Sequence, residues 1–206
     1  MLKKHALDPI KLIWLFAGSL IINTGVSFIW PLTTIYIHNY LHETLTVAAI
    51  ALFINSDFTM VGNAVGGLLF DKWHPYQTLL TGVSISTLST FLLVLFHGWP
   101  AYPILLITLG LGNGIVVTGL NSIATLIQSR NASYVFNVLY FTQNLGLVFG
   151  SLMVGFILPF GITYIFLLAF IMFAFLSIVI FFEYRGLNQA HASTNKNTTT
   201  AALQEK

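Results

Sequence analysis

Six apolar runs separated by short polar breaks organise this chain: residues 10–36, 46–70, 78–96, 104–127, 134–158 and 162–182. Each is close to the ~20 residues that a helix needs to cross a bilayer. The pattern predicts an all-α, polytopic membrane protein with six transmembrane helices. The breaks read as turns. Residues 38–44 are polar, residues 98–103 combine Pro100 and Pro103 with the interface-seeking rings of Trp99 and Tyr102, and Pro159-Phe160-Gly161 is a tight reversal. Pro31, near the far end of the first run, removes one backbone hydrogen bond and predicts a kink. That first run is too long for the apolar part of a signal peptide and no small-x-small cleavage site follows it, so it reads as a retained helix.

Composition sharpens the class. Hydrophobic residues make up 56% of the 206 and charged residues 7%, and the mean hydropathy is +0.85, values outside the range of soluble domains. There is no cysteine, which removes thiolate metal sites, disulfides and a cysteine nucleophile. A net charge of +2 gives no reason to expect a nucleic-acid partner. The placement of the few cations is more informative. With six spans, Lys3, Lys4, Lys11, Lys72, Arg130, Arg185, Lys196 and Lys206 all fall on one side and the other side has no Lys or Arg. Positive loops stay in the cytoplasm, so the expected protein sits in the cell membrane with both termini cytoplasmic. Residues 1–185 then form the bundle. The Asn-, Thr- and Ala-rich residues 186–206 are too polar to bury a core and are expected to be a disordered cytoplasmic tail.

Between the second and third runs stands a short charged stretch, Gly66-Gly67-Leu68-Leu69-Phe70-Asp71-Lys72-Trp73-His74-Pro75-Tyr76-Gln77. Its Gly67-x-x-x-Asp71-Lys72 resembles the first half of the signature loop of the major facilitator superfamily, while His74 stands where that pattern has glycine and Pro75, Tyr76 and Gln77 replace its basic cluster. Pro31-Leu32 followed by Tyr36 resembles the outer end of span one in the drug-efflux branches. Gly146-x-x-x-Gly150-Ser151-x-x-x-Gly155 is similar to the glycine ladder of antiporters, with Ser151 in place of proline. Asn113 lies near the place where many proton-coupled members carry an arginine.

The resemblance covers about residues 10–185. It implies a 3+3 inverted-repeat bundle, the N-terminal half of a carrier, and secondary transport of a small molecule, with efflux as the expected direction and a proton as the candidate co-partner. It also implies a truncated or split carrier that works with a second six-helix half or by self-association. Gly67, Asp71 and Lys72 would then belong to a cytoplasmic gate, with the plainer alternative of a solvated turn.

Asp57 is the one carboxylate near the middle of a run, about 14 residues or roughly 21 Å from Asp71 along a helix. A carboxylate at that depth costs a few kcal/mol or more in lipid and marks function by default. It is a candidate proton carrier or cation site, or else a hydrogen-bonded group that ties helices together. Asn23, Asn113, Asn121 and Asn144, with Trp30, are candidates for a substrate cavity, and each Asn is equally suited to an interhelical hydrogen bond. The interiors of spans three and six hold no Asn, Gln, Asp or Glu, which agrees with the peripheral place the resemblance gives them. Gly62 and Gly66, Gly110 and Gly114, and Gly146 and Gly150 are spaced four apart, as in helices that pack backbone to backbone.

His38 and His42 are four apart at the end of span one, but two ligands without a third make no metal site, so neither metal nor cofactor is expected. An intramembrane serine protease would need a Gly-x-Ser-Gly setting and a deep histidine; Gly82-Val83-Ser84-Ile85 lacks the last glycine and no histidine is deep. The remaining alternative to a carrier is a non-transporting membrane or assembly protein, an inactive remnant of a larger one.

Overall fold

A computed structural model describes residues 10–187; the expectations for Lys3, Lys4 and the tail beyond Leu187 lie outside the described residues. Six helices are long and apolar enough to cross a membrane: span one Leu12–Tyr40, span two Leu45–Lys72, span three Pro75–Leu95, span four Ala101–Leu126, span five Ala132–Phe160 and span six Ile162–Glu183. No strand occurs among the described residues.

Local chemistry sets the ends. Thr44 caps span two by accepting from the Val47 amide at 3.3 Å, and Asn131 caps span five by accepting from the Ser133 amide at 3.0 Å. Span three starts on Pro75, whose missing N–H is no loss in a first turn. Gly161, at φ 126, makes the reversal into span six that a side chain would resist.

Span one is broken. Its first helix, Leu12–Ser27, ends at Phe28 and Ile29, and a second starts at Trp30 with Pro31 in its first turn. The break therefore lies just before Pro31. The proline ring has no hydrogen for the Ser27 carbonyl and crowds it, so the chain restarts there. The second piece passes into a π-helical turn, Tyr36–Tyr40.

Packing follows a repeat. The most extensive contact joins span two to span four; then come three with four and one with five, which are close to equal, followed by three with six and six with one. Exchanging the first three spans for the last three maps this set onto itself, with the direction of travel reversed. That is the inverted 3+3 bundle. The glycine pairs sit in its tightest seams. A Cβ on Gly66 would come 2.8 Å from the Ile115 Cα, and one on Gly110 2.7 Å from the Asn55 carbonyl oxygen, so Gly62, Gly66, Gly110 and Gly114 share the seam between spans two and four. Gly146 and Gly150 lie against Leu20 and Thr24 backbone in the seam between spans one and five.

At the end without Lys or Arg, a buried aromatic cluster joins four parts of the chain. The Tyr36 ring lies 4.7 Å from Tyr102 and 5.6 Å from Phe166. The Tyr36 hydroxyl donates to the His97 carbonyl at 2.7 Å, and the Tyr102 and Thr33 hydroxyls share a 2.9 Å hydrogen bond. At the other end the Tyr184 hydroxyl donates to the Trp14 carbonyl at 2.8 Å, joining spans six and one. Its burial raises its pKa well above the usual tyrosine range, which keeps that donor proton in place. Tyr102 is fully buried. Tyr102→Ala is expected to cost about 3–5 kcal/mol and Tyr102→Phe, which removes only the bond to Thr33, about 1 kcal/mol. Denaturation of the purified protein in detergent measures both, and equal losses would show that the hydroxyl rather than the ring holds the cluster.

Candidate functional site

A cavity of about 480 Å³ opens between spans one, two, four and five. Span one reaches it at its break, with Ser27 at the end of the first helix and Trp30 and Pro31 at the start of the second. Span two contributes Asn55, Ser56 and Thr59, span four Leu106, Gly110 and Asn113, and span five Leu147 and Ser151. Spans three and six contribute nothing to its wall.

The polar groups on this wall are partly committed. Asn55 is buried and donates from Nδ2 to the Leu106 carbonyl at 2.6 Å, a bond that ties span two to span four. Ser56 and Thr59 donate to their own helix, to the Leu52 carbonyl at 2.9 Å and the Asn55 carbonyl at 2.8 Å. That is the usual resort of a hydroxyl in a membrane helix, and it leaves their lone pairs toward the cavity. Asn113 differs: its Oδ1 is buried with no hydrogen-bond partner.

Of the residues singled out from sequence, Trp30 and Asn113 line the cavity; Asn23, Asn121 and Asn144 do not. Asn23 donates to the Ser19 carbonyl of its own helix at 2.8 Å. Asn121 accepts from Gln143 Nε2 at 3.3 Å, a bond between spans four and five. Asn144 is exposed and donates to the Tyr140 carbonyl at 2.7 Å. Phe28, beside Trp30, is buried in the core. Ser27, Ser56 and Thr59 went unnoticed, and Ser151 stood out only within the glycine ladder, because single hydroxyl residues are scattered through every span; the available signal was the cluster Asn55-Ser56-Asp57-x-Thr59, four polar groups within two turns.

Asp57 does not face the cavity. At about 100° per residue it lies about 200° round the helix from Asn55, exposed on the same face as Ile50, Phe53, Met60 and Leu68, which are also exposed. The charged stretch is also more helical than a turn. Span two continues through Gly66, Gly67, Asp71 and Lys72, and only Trp73 and His74 separate it from span three. Glycine is tolerated there because Gly66 packs on span four, whereas a Cβ on Gly67 would meet only the Thr118 methyl at 3.8 Å. Asp71 and Lys72 are exposed in the last turn. Lys11, Lys72, Arg130 and Arg185 all fall at this end of the bundle, where Arg185 lies over the Phe181 ring at 4.1 Å and Arg130 over Tyr134 at 5.9 Å. His38 and His42 are not one helical turn apart, since His42 has φ 57 beyond the π turn and the His38 ring meets the Glu43 carbonyl at 3.0 Å.

Known proteins share this architecture. The chain is similar to the peptide transporter POT in complex with sulfate and in complex with alafosfalin, each with a TM-score of 0.78 at 18% identity over 94% of this chain and 44% of that one. It is also similar to the POT family transporter PepTSo, with a TM-score of 0.75 at 18% identity over 82% of this chain and 36% of that one. At that identity the likeness is one of fold. In sequence it is 37% identical over 179 residues to the "Uncharacterized MFS-type transporter YttB" of Bacillus subtilis (strain 168), covering 87% of this chain and 45% of that protein. The chain thus spans about half the length of the curated relative it matches. The model of the Major Facilitator Superfamily matches residues 15–204, and this chain belongs to that superfamily of membrane transporters.

Proposed function

We propose that the chain is the N-terminal half of a secondary transporter that moves a small molecule out of the cell, using the cavity between spans one, two, four and five as its side of the substrate site. The cavity is the observation that carries this reading: it is walled by spans from both repeats and lies where they cross, the usual place of a facilitator's substrate. The family is one of transporters rather than enzymes, which sets the protease reading aside.

The second half is inferred from the outer faces. In span two 22% and in span five 17% of the apolar window is buried inside the bundle, against 39–50% for the other four spans. A second six-helix unit, a separate half or another copy, fits against these two spans. Asp57 lies on that face and serves there as a proton carrier or as the partner of a cation from the second half. Asp71 and Lys72, at the cytoplasmic end of the same span, form this half's side of a gate. The positive residues at that end support a plasma-membrane protein with cytoplasmic termini.

Accumulation of the uncharged dye N-phenyl-1-naphthylamine in cells tests this. Cells making the chain together with a second half are expected to hold less dye than cells making either alone. Equal accumulation, with both halves shown to be inserted and associated, overturns the reading.

A further inference from the structure

We infer that the cavity selects uncharged, largely apolar molecules that carry an N–H or O–H donor, and that Asn113 is the residue that reads the donor. This rests on the cavity being the substrate site and names what the site accepts.

The wall has no charged side chain. The only mid-span carboxylate, Asp57, lies on the far side of its helix, about 200° from Asn55. An ion of either sign in the cavity would exchange part of its water for a wall with no counter-charge, a cost that hydrocarbon contacts do not offset. The same wall receives an apolar body well: Val26, Ile29, Leu106, Leu109 and Leu147 surround the space and the Trp30 ring, 54% exposed, stands at its edge. A volume of about 480 Å³ suits a compound of two or three rings.

The donor requirement comes from hydrogen-bond accounting. Ser56 and Thr59 have their protons on helix carbonyls and one amide hydrogen of Asn55 is held by Leu106, so these groups offer mainly oxygen lone pairs. Asn113 lines the cavity while its Oδ1 is buried without a partner. A buried acceptor left unmet is unfavourable, and a turn of this amide about Cβ–Cγ, which gives up no bond made by Oδ1, would exchange the places of Oδ1 and Nδ2 and present the oxygen to a ligand. A ligand N–H or O–H satisfies it. A ligand without a donor leaves it unmet.

The test uses the full chain in nanodiscs and four probes on one skeleton: N-phenyl-1-naphthylamine, its N-methyl derivative without the donor, the anionic 8-anilino-1-naphthalenesulfonate, and a derivative bearing a trimethylammonium group. Binding is read by probe fluorescence, with empty nanodiscs subtracted. The parent amine is expected to bind about five- to tenfold more tightly than the N-methyl compound, as one hydrogen bond provides, and more tightly than either ion. Asn113→Ala, checked for a monodisperse folded chain, is expected to remove the preference for the donor and keep the preference against ions. Asn113→Gln, with the same amide on a longer arm, controls for lost packing and is expected to retain part of it. Tighter binding of the cation, abolished in Asp57→Asn, overturns the inference, and so does a donor preference that survives Asn113→Ala. Because binding is measured on the chain alone, a failure of transport with this binding pattern intact would count against the transport reading and not against the cavity's chemistry.

Discussion

Replacing Gly114 by leucine is expected to prevent the bundle from folding, while the same change at Gly155 leaves it intact. A Cβ on Gly114 would overlap the Thr59 carbonyl oxygen and lie 2.8 Å from the Asn63 amide nitrogen and 2.9 Å from the Gly62 carbonyl carbon. All three are backbone atoms of span two, so no rotamer change relieves the clash. The helices must part along the seam where Asn55 also donates to Leu106. Inside lipid there is no hydrophobic drive to hold separated helices together; what is lost is close packing and that hydrogen bond. Overpacking of a core costs about 1–3 kcal/mol even where side chains can yield, and here the obstacle is rigid. A Cβ on Gly155 would meet nothing within 4 Å beyond its own turn of helix. Fluorescence-detected size-exclusion chromatography in mild detergent is the measurement, with loss of the monodisperse peak expected for Gly114→Leu and wild-type recovery for Gly155→Leu. Equal recovery of the two would show that the seam between spans two and four is not what holds the fold.

That contrast also marks where sequence reading stops. Glycines four apart announce close helix packing, but spacing does not name the partner. Gly62 and Gly66 face span four, whereas Gly146 and Gly150, with the same spacing, face span one, and Gly155 in the same ladder touches nothing. The number and position of the spans were legible because lipid demands ~20 apolar residues whatever the fold. The inverted repeat came from the resemblance and not from any periodicity. Depth along a helix is likewise readable and azimuth is not. Asp57 lies near the middle of the Leu45–Lys72 helix, yet nothing in its neighbours tells which way it turns, and it faces away from the cavity that Asn55 and Asn113 share. The cluster of Thr33, Tyr36, His97, Tyr102 and Phe166 escaped notice for a related reason. Aromatic residues near span ends look like a membrane-interface belt, and only the folded chain brings residues separated by 61 and 69 positions into hydrogen-bond contact.

The orientation of Asp57 gives the second large effect, on the reading that its face of span two meets a second half. With the exposed face of span two covered by a second half, the Asp57 side chain has Phe53, Met60 and Val61, one turn away on either side, for neighbours on its own helix. In such surroundings a carboxylate is stable only when protonated or facing a cation. If it carries the coupling proton, alternate loading and release of that proton are what drive the cycle. Asp57→Asn keeps the size and hydrogen-bonding reach but fixes the group in an uncharged form. Transport driven by a proton gradient is then expected to fall at least about tenfold, to the level left by a protonophore, because the step linking proton flow to substrate flow is gone. Downhill exchange of N-phenyl-1-naphthylamine across proteoliposomes without a gradient is expected to persist, since the cavity is untouched. Copurification of the two halves is expected to be unchanged or stronger, as a neutral amide is less costly to bury than an unpaired carboxylate. Asp57→Glu separates this from a purely structural role: it keeps an ionisable carboxyl and is expected to retain driven transport, where a helix-tying hydrogen bond would show a loss of assembly. Full gradient-driven transport by Asp57→Asn in an active preparation would remove Asp57 from the coupling mechanism.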